Sequence, residues 1–182
     1  MRTVIGIIDT QNDFMNVGGK LHVPGADKIK NVINNIIKFG RERNTTVYFT
    51  QDNHDGSEPE FIKNGGPFPF HCMMNTDGQK NIKEALPEEN EMVFHKKCYD
   101  VFDPTLGNRD IVRWLKENRI TEVYLAGVAT DYCVKAHAIG LRKLGIDTYV
   151  FTDGIMGVED TTTENAIDEM KRAGVRFVRF LV

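Results

Sequence analysis

The stretch Thr121-Glu122-Val123-Tyr124-Leu125-Ala126-Gly127-Val128-Ala129-Thr130-Asp131-Tyr132-Cys133-Val134-Lys135-Ala136 decides the fold. Thr121 to Leu125 is rich in β-branched and aromatic residues and reads as a strand. Gly127 interrupts it, and small or polar residues follow. A helical pattern then runs from Asp131 to Leu144, with Gly145 suited to its C-terminal cap. A strand feeding a helix through a short turn is the repeating unit of a parallel α/β sheet. The same turn sets Cys133 in the first turn of a helix. Unpaired N–H groups and the positive end of the macrodipole favour a thiolate there. Those N–H groups can also receive an oxyanion. The plain alternative is a small buried cysteine in a strand-to-helix turn.

Working outward, the alternation persists. Thr3 to Ile8 is a short apolar run closed by Asp9, the pattern of a central strand covered on both faces. Ala26 to Arg43 is expected as a helix, because Ile29, Val32, Ile33, Ile36 and Ile37 recur at helical spacing. Further strands are expected at Thr46–Thr50, Met92–His95, Ile146–Phe151 and Val175–Phe180. Helices are expected around Ile111 and Leu115, with Trp114 beside the buried face, and from about Thr162 to Arg172. The pattern predicts one three-layer α/β domain over residues 1–182, a mainly parallel six-stranded sheet with helices on both faces. Ligands of such sheets bind beyond the carboxyl ends of the strands. Asp9, Asp52, Lys96 and Ala129 all fall at or just after those ends. Gln51 to Gln79 lacks periodicity, and a loop that long is usually functional or disordered.

The 182 residues suffice for one domain with a real core. A net charge of -3, with both signs interspersed, gives no reason to expect nucleic acid or an anionic membrane surface. No apolar run reaches the length of a membrane span. Met1-Arg2-Thr3-Val4-Ile5 runs straight into a strand and does not read as a signal peptide. Three cysteines without framework spacing agree with a reducing compartment, so the expectation is a cytoplasmic protein acting on a small molecule. Edges and helix faces leave room for a homo-oligomer.

Two constellations carry chemistry. The first is Asp9, Lys96 and Cys133. A cysteine nucleophile needs a proton acceptor. His137 stands one helical turn from Cys133 but reads as a packing or surface residue. Asp9 is an alternative base, and Lys96 can steady the charges of the pair. Taken singly, Asp9 also reads as a loop cap and Lys96 as a surface amine like its neighbour Lys97. The second constellation is Asp52-Asn53-His54 followed by His71. Residues two apart in an extended chain project to one side, and a carboxylate with two imidazoles suits zinc, iron or manganese. Glu58 and Glu60 are available as a further oxygen donor. By spacing alone these are equally well surface residues. The aromatic residues Phe14, Phe68, Phe70 and Tyr99 flank the candidates and could clamp a flat ring, or simply pack.

Together these segments resemble the nicotinamidase/pyrazinamidase branch of the isochorismatase-like cysteine hydrolases. The matching pieces are Ile7 to Phe14, Thr50 to His54, Pro67 to Cys72, Phe94 to Phe102 and Gly127 to Ala136, in family order and spanning nearly the whole chain. The resemblance implies hydrolysis of nicotinamide to nicotinate and ammonia, and of pyrazinamide likewise. It implies Cys133 as nucleophile, Asp9 as base and Lys96 as third member, Lys96 being the lysine three residues before Tyr99. It implies one divalent metal ion, zinc foremost, on Asp52, His54, Glu60 and His71, with Glu58 in reserve for Glu60. Phe14, Phe68 and Tyr99 would line the ring pocket, and the Val128–Ala129 peptide would be cis beside the oxyanion. Phe68 stands where many members carry Trp, Phe70 where many carry Pro, and Asp100-Val101 where small residues are usual. These departures leave another small amide or carbamoyl compound open as substrate. A non-enzymatic metal- or thiol-binding protein on the same scaffold is the remote alternative.

Overall fold

The structure, a computed structural model, describes residues 2–181. Six strands form one sheet in the order β3-β2-β1-β4-β5-β6, every neighbouring pair parallel. They are β1 (Thr3–Ile8), β2 (Thr46–Asp52), β3 (Met92–Lys96), β4 (Glu122–Val128), β5 (Asp147–Met156) and β6 (Arg176–Val178). The helices are α1 (Asn12–Met15), α2 (Lys30–Glu42), α3 (Arg109–Glu117), α4 (Lys135–Lys143) and α5 (Asp160–Arg172). Alternation along β1 sorts the core into two layers. Val4 and Ile8 pack with Ile111 and Leu115 of α3, Leu141 of α4 and Met170 of α5. Ile5 and Ile7 pack with Ile33, Ile36 and Ile37 of α2. Burial on both faces is why β1 reads as an unbroken apolar run. The expected six-stranded parallel architecture is borne out.

Several boundaries differ from those the sequence suggests. The Ala26–Arg43 segment is a 3-10 turn at Ala26–Ile29 followed by α2. The Asp131–Leu144 segment opens as a π-helical turn, Thr130–Val134, before α4 begins. Strand β4 runs three residues beyond Leu125, and β5 five beyond Phe151, across a register shift between Leu125 and Gly127. Gly127 makes this continuation feasible. Its φ is +125°, and a Cβ there would lie 2.0 Å from the Ile8 carbonyl oxygen. Only glycine lets β4 stay paired with β1 at that point. The long loop after β2 is packed, not disordered. Isolated bridges His54↔Met73 and Phe61↔Phe68 tie it together, and Phe61, His71 and Cys72 are buried.

Consecutive strands run outward from β1 in one direction and then from β4 in the other. The switch point between β1 and β4 opens a crevice at the carboxyl ends of the strands. Asp9 leaves β1 on one side of it, and the turn bearing Cys133 leaves β4 on the other.

Candidate active site

Asp9, Lys96 and Cys133 come together at this crevice. Lys96 is the last residue of β3, so parallel pairing aligns it with Asp52 at the end of β2. Its ammonium lies 2.7 Å from Asp9 Oδ2 and 3.6 Å from Cys133 Sγ, and it also donates to Asp52 Oδ1. Asp9 adopts a left-handed φ of +49°, turning its side chain into the crevice as the chain leaves β1. Thr50 Oγ1 donates to Asp9 Oδ1 at 2.6 Å. A carboxylate oxygen of Asp9, one of Asp52 and Cys133 Sγ lie within 4.8 Å of one another. The Val128–Ala129 peptide that enters the cysteine turn is cis.

The four groups are all buried, and their charges decide one another. Burial works against the Lys96 ammonium, but Asp52, Asp9 and Cys133 outweigh it and lift its pKa well above the usual lysine value. Burial also pushes the Asp52 carboxyl up, yet Lys96, His54 and His71 prevail and hold it well below the carboxylate range. Asp9 goes the other way: burial raises it, and Lys96 only partly offsets this. The Cys133 thiol rises well above its ordinary value, first through burial and then through the nearby carboxylates, despite Lys96. The resting cysteine is therefore a thiol beside a basic carboxylate. A thiolate from the helix dipole alone is not what the fold provides, because desolvation and two carboxylates outweigh one turn of backbone dipoles.

Asp52 joins this cluster to a second one. Its Oδ2 lies 3.6 Å from His54 Nε2 and 3.8 Å from His71 Nε2. Glu60 Oε1 stands 3.4 Å from each of those nitrogens. Donors on a tetrahedral ion with bonds of about 2.1 Å are about 3.4 Å apart, so the spacing fits a divalent ion. His71 Nδ1 lies 2.9 Å from the Pro69 carbonyl, which can only accept. Burial works against the charged ring, but the Asp52, Pro69 and Glu60 acceptors outweigh it and raise the His71 pKa; a neutral His71 would keep its proton on Nδ1 and leave Nε2 for a cation. His54 is fully buried, and neither ring nitrogen has a hydrogen-bond partner. An orphaned buried donor or acceptor costs on the order of 1–3 kcal/mol, which a cation at Nε2 would relieve. Glu58, the reserve candidate, sits on the opposite edge of His54, 3.7 Å from Nδ1.

Beside Cys133 and Asp52 a pocket of about 90 Å³ is lined by Phe14, Phe68, Tyr99, Tyr132 and Val158 among others. Phe68, Tyr99 and Tyr132 meet edge to face, with centroids 5.4 to 6.1 Å apart. Phe14 leans on His71 at 5.4 Å. Burial and neighbouring carboxylate charge push the Tyr99 hydroxyl up to about 12, so it stays protonated. Sequence reasoning missed Tyr132 and the Leu21–Val23 segment, which also lines the pocket. Tyr132 adjoins Cys133 and was legible in principle; Leu21 to Val23 gives no local signal. Phe70 lies outside, packed edge-on against Phe61. His137 turns away from the cysteine, sharing a 2.7 Å hydrogen bond with the Tyr48 hydroxyl. Asp131 fixes the cysteine turn, accepting from the Val158 N–H at 3.0 Å and the Thr162 hydroxyl at 2.5 Å.

The isochorismatase domain matches residues 3–179, and the chain belongs to that family. Within it, the chain is a hydrolase of the nicotinamidase/pyrazinamidase type. The nicotinamidase of Escherichia coli (strain K12) is 30% identical over 193 residues, spanning 92% of this chain and 90% of its own. The pyrazinamidase of Pyrococcus horikoshii, solved in complex with zinc, superposes with a TM-score of 0.90 at 34% identity, covering 99% of this chain and all of its own. PnC1 of L. infantum, solved in complex with nicotinate, gives a TM-score of 0.87 at 27% identity, with 98% and 92% covered. Among the described residues no helix is long and apolar enough to cross a membrane.

Proposed function

We propose that the protein hydrolyses nicotinamide to nicotinate and ammonia, and pyrazinamide likewise, through a thioester on Cys133. The convergence of Asp9, Lys96 and Cys133 at the floor of an aromatic pocket carries this reading. Phe14, Phe68 and Tyr99 clamp the ring and set the carboxamide carbon over Cys133 Sγ. Asp9 takes the thiol proton as sulfur bonds to that carbon. Lys96, beside both atoms, balances the negative charge as it passes from the Asp9 carboxylate to sulfur. The backbone N–H groups of Ala129 and Cys133 hold the oxyanion. Asp9 then returns the proton to the amide nitrogen as the C–N bond breaks and ammonia leaves. In the second half Asp9 deprotonates water, which adds to the thioester. The C–S bond breaks, and the proton returns to sulfur.

Asp52, His54, Glu60 and His71 would hold one divalent ion; the donor set suits zinc, iron or manganese, and the zinc complex of the Pyrococcus horikoshii pyrazinamidase supports zinc foremost. When bound, it supplies a Lewis-acidic anchor for a ring nitrogen. The shared residue Asp52 ties that anchor to Lys96, so ring position and nucleophile are set from one strand end.

Ammonia release from nicotinamide, measured on metal-analysed protein beside Cys133→Ala, tests the reading. Release by the parent protein alone is expected. Comparable release by the variant would rule out covalent catalysis. No release by metal-loaded protein with a reactive thiol would discard this substrate in favour of another small amide or carbamoyl compound.

A further inference from the structure

Glu58 is 2% exposed, a buried carboxylate that the mechanism does not use. Its position is tightly held. Oε1 accepts from the Asp55 N–H at 3.2 Å and Oε2 from the Gly56 N–H at 2.9 Å. Lys97 Nζ lies 3.2 Å from Oε1 and also pairs with Asp55. Oε2 also faces His54 Nδ1, at 3.7 Å. That nitrogen is buried and has no hydrogen-bond partner.

The two edges of the His54 ring therefore face different carboxylates. Nε2 faces Asp52 and Glu60, while Nδ1 faces Glu58. A neutral imidazole that gives the Nε2 lone pair to a cation carries its proton on Nδ1. That proton points at Glu58, and a movement of about 1 Å brings the pair to the distance of a charge-assisted hydrogen bond. Resting on the metal-site reading above, we infer that Glu58 is a positioning residue: it accepts the Nδ1 proton of His54, fixes that ring's tautomer and strengthens its hold on a divalent ion. Lys97 and the two backbone N–H groups keep the carboxylate in place for this purpose. The competing role is purely structural, Glu58 serving only to knit the Asp55–Gly56 turn.

Zinc affinity, measured by competition with a chromophoric chelator, separates the two roles. Glu58→Gln keeps the shape and removes the charge, and it should raise the zinc Kd by about 10- to 100-fold. Asp55→Asn removes the same charge from the other partner of Lys97, without facing His54. It should change the Kd by less than about fivefold, the scale of an exposed ion pair. Equal effects of the two variants, or none from Glu58→Gln, would overturn the inference. A second readout needs no variant. In zinc-loaded parent protein the His54 Nδ1 proton should give a downfield, slowly exchanging proton resonance, and an ordinary rapidly exchanging one would overturn the assignment. If the parent protein binds no zinc, the metal-site reading itself falls and takes this inference with it. Unchanged zinc binding in Glu58→Gln removes the inference alone.

Discussion

Replacing Lys96 with methionine tests whether the buried charge cluster is balanced as the geometry indicates. Methionine approximates the volume and removes the charge. The ammonium lies 2.7 Å from Asp9 Oδ2 and also pairs with Asp52, at 2% residue exposure. At an effective dielectric of about 20, unit charges at that separation attract by about 6 kcal/mol. Desolvation already cancels much of this attraction. Removing one partner leaves the others uncompensated, a change that typically costs about 3–5 kcal/mol. The sign with pH follows from which state binds more protons. In the variant two buried carboxylates repel one another, so the folded state raises a carboxyl pKa above its unfolded value. Its stability then falls as pH rises, by up to about 1.4 kcal/mol per pH unit. In the parent protein Asp52 is held low, so its contribution stays constant from pH 7.5 to 5 and is lost only below the ordinary carboxyl range; the narrowing of the gap comes from the variant. The two stabilities should therefore converge as pH is lowered from 7.5 to 5. Urea unfolding of both proteins in chelator, at each pH, measures the gap. A gap below about 1 kcal/mol at pH 7.5 would refute the reasoning, as would a gap that does not narrow on acidification.

Two further outcomes follow from the site's surroundings. Phe68→Ala removes the ring that meets both Tyr99 and Tyr132, and should lower kcat/KM for nicotinamide about tenfold, chiefly through KM; steady-state ammonia assays read the split, and an unchanged KM would take Phe68 out of the clamp. His137→Leu leaves the Tyr48 hydroxyl without its partner and should cost about 1–3 kcal/mol at neutral pH while sparing turnover. Burial first, then Lys96, pushes the parent His137 down to about 3. The unfolded chain thus takes up a proton near pH 6.5 that the fold refuses, and the cost of the variant should shrink as pH falls from 6.5 toward 3; a pH-independent difference in denaturant midpoint would contradict this.

The fold was legible because each covered strand leaves an apolar run and each helix an apolar stripe. Thr3–Ile8 and the isoleucines of α2 are examples, and both fell into the layers their periodicity requires. Boundaries were less legible where one residue changes the backbone. The Gly127 contact with Ile8 lengthens β4 into what reads as a turn. The loop after β2 reads as structureless because the partners that order it, Met73 for His54 and Phe68 for Phe61, lie far along the chain.

The sequence by itself determined the inventory: a cysteine after a strand, an aspartate and a lysine at other strand ends, and an Asp-x-His with a later His. Those are properties of residue type and local spacing, and the family resemblance read them as one set. Only the tertiary structure decided how they act on one another. It aligned Lys96 with Asp52 by parallel pairing, and it set Glu60 on the Nε2 edge of His54 with Glu58 on the Nδ1 edge. It also set burial and two carboxylates, which favour the thiol, against the helix terminus and Lys96, which favour the thiolate, at Cys133. The physical reason is common to all three. Distances between groups remote in sequence, and the water excluded around them, are set by packing and have no local signature in the chain.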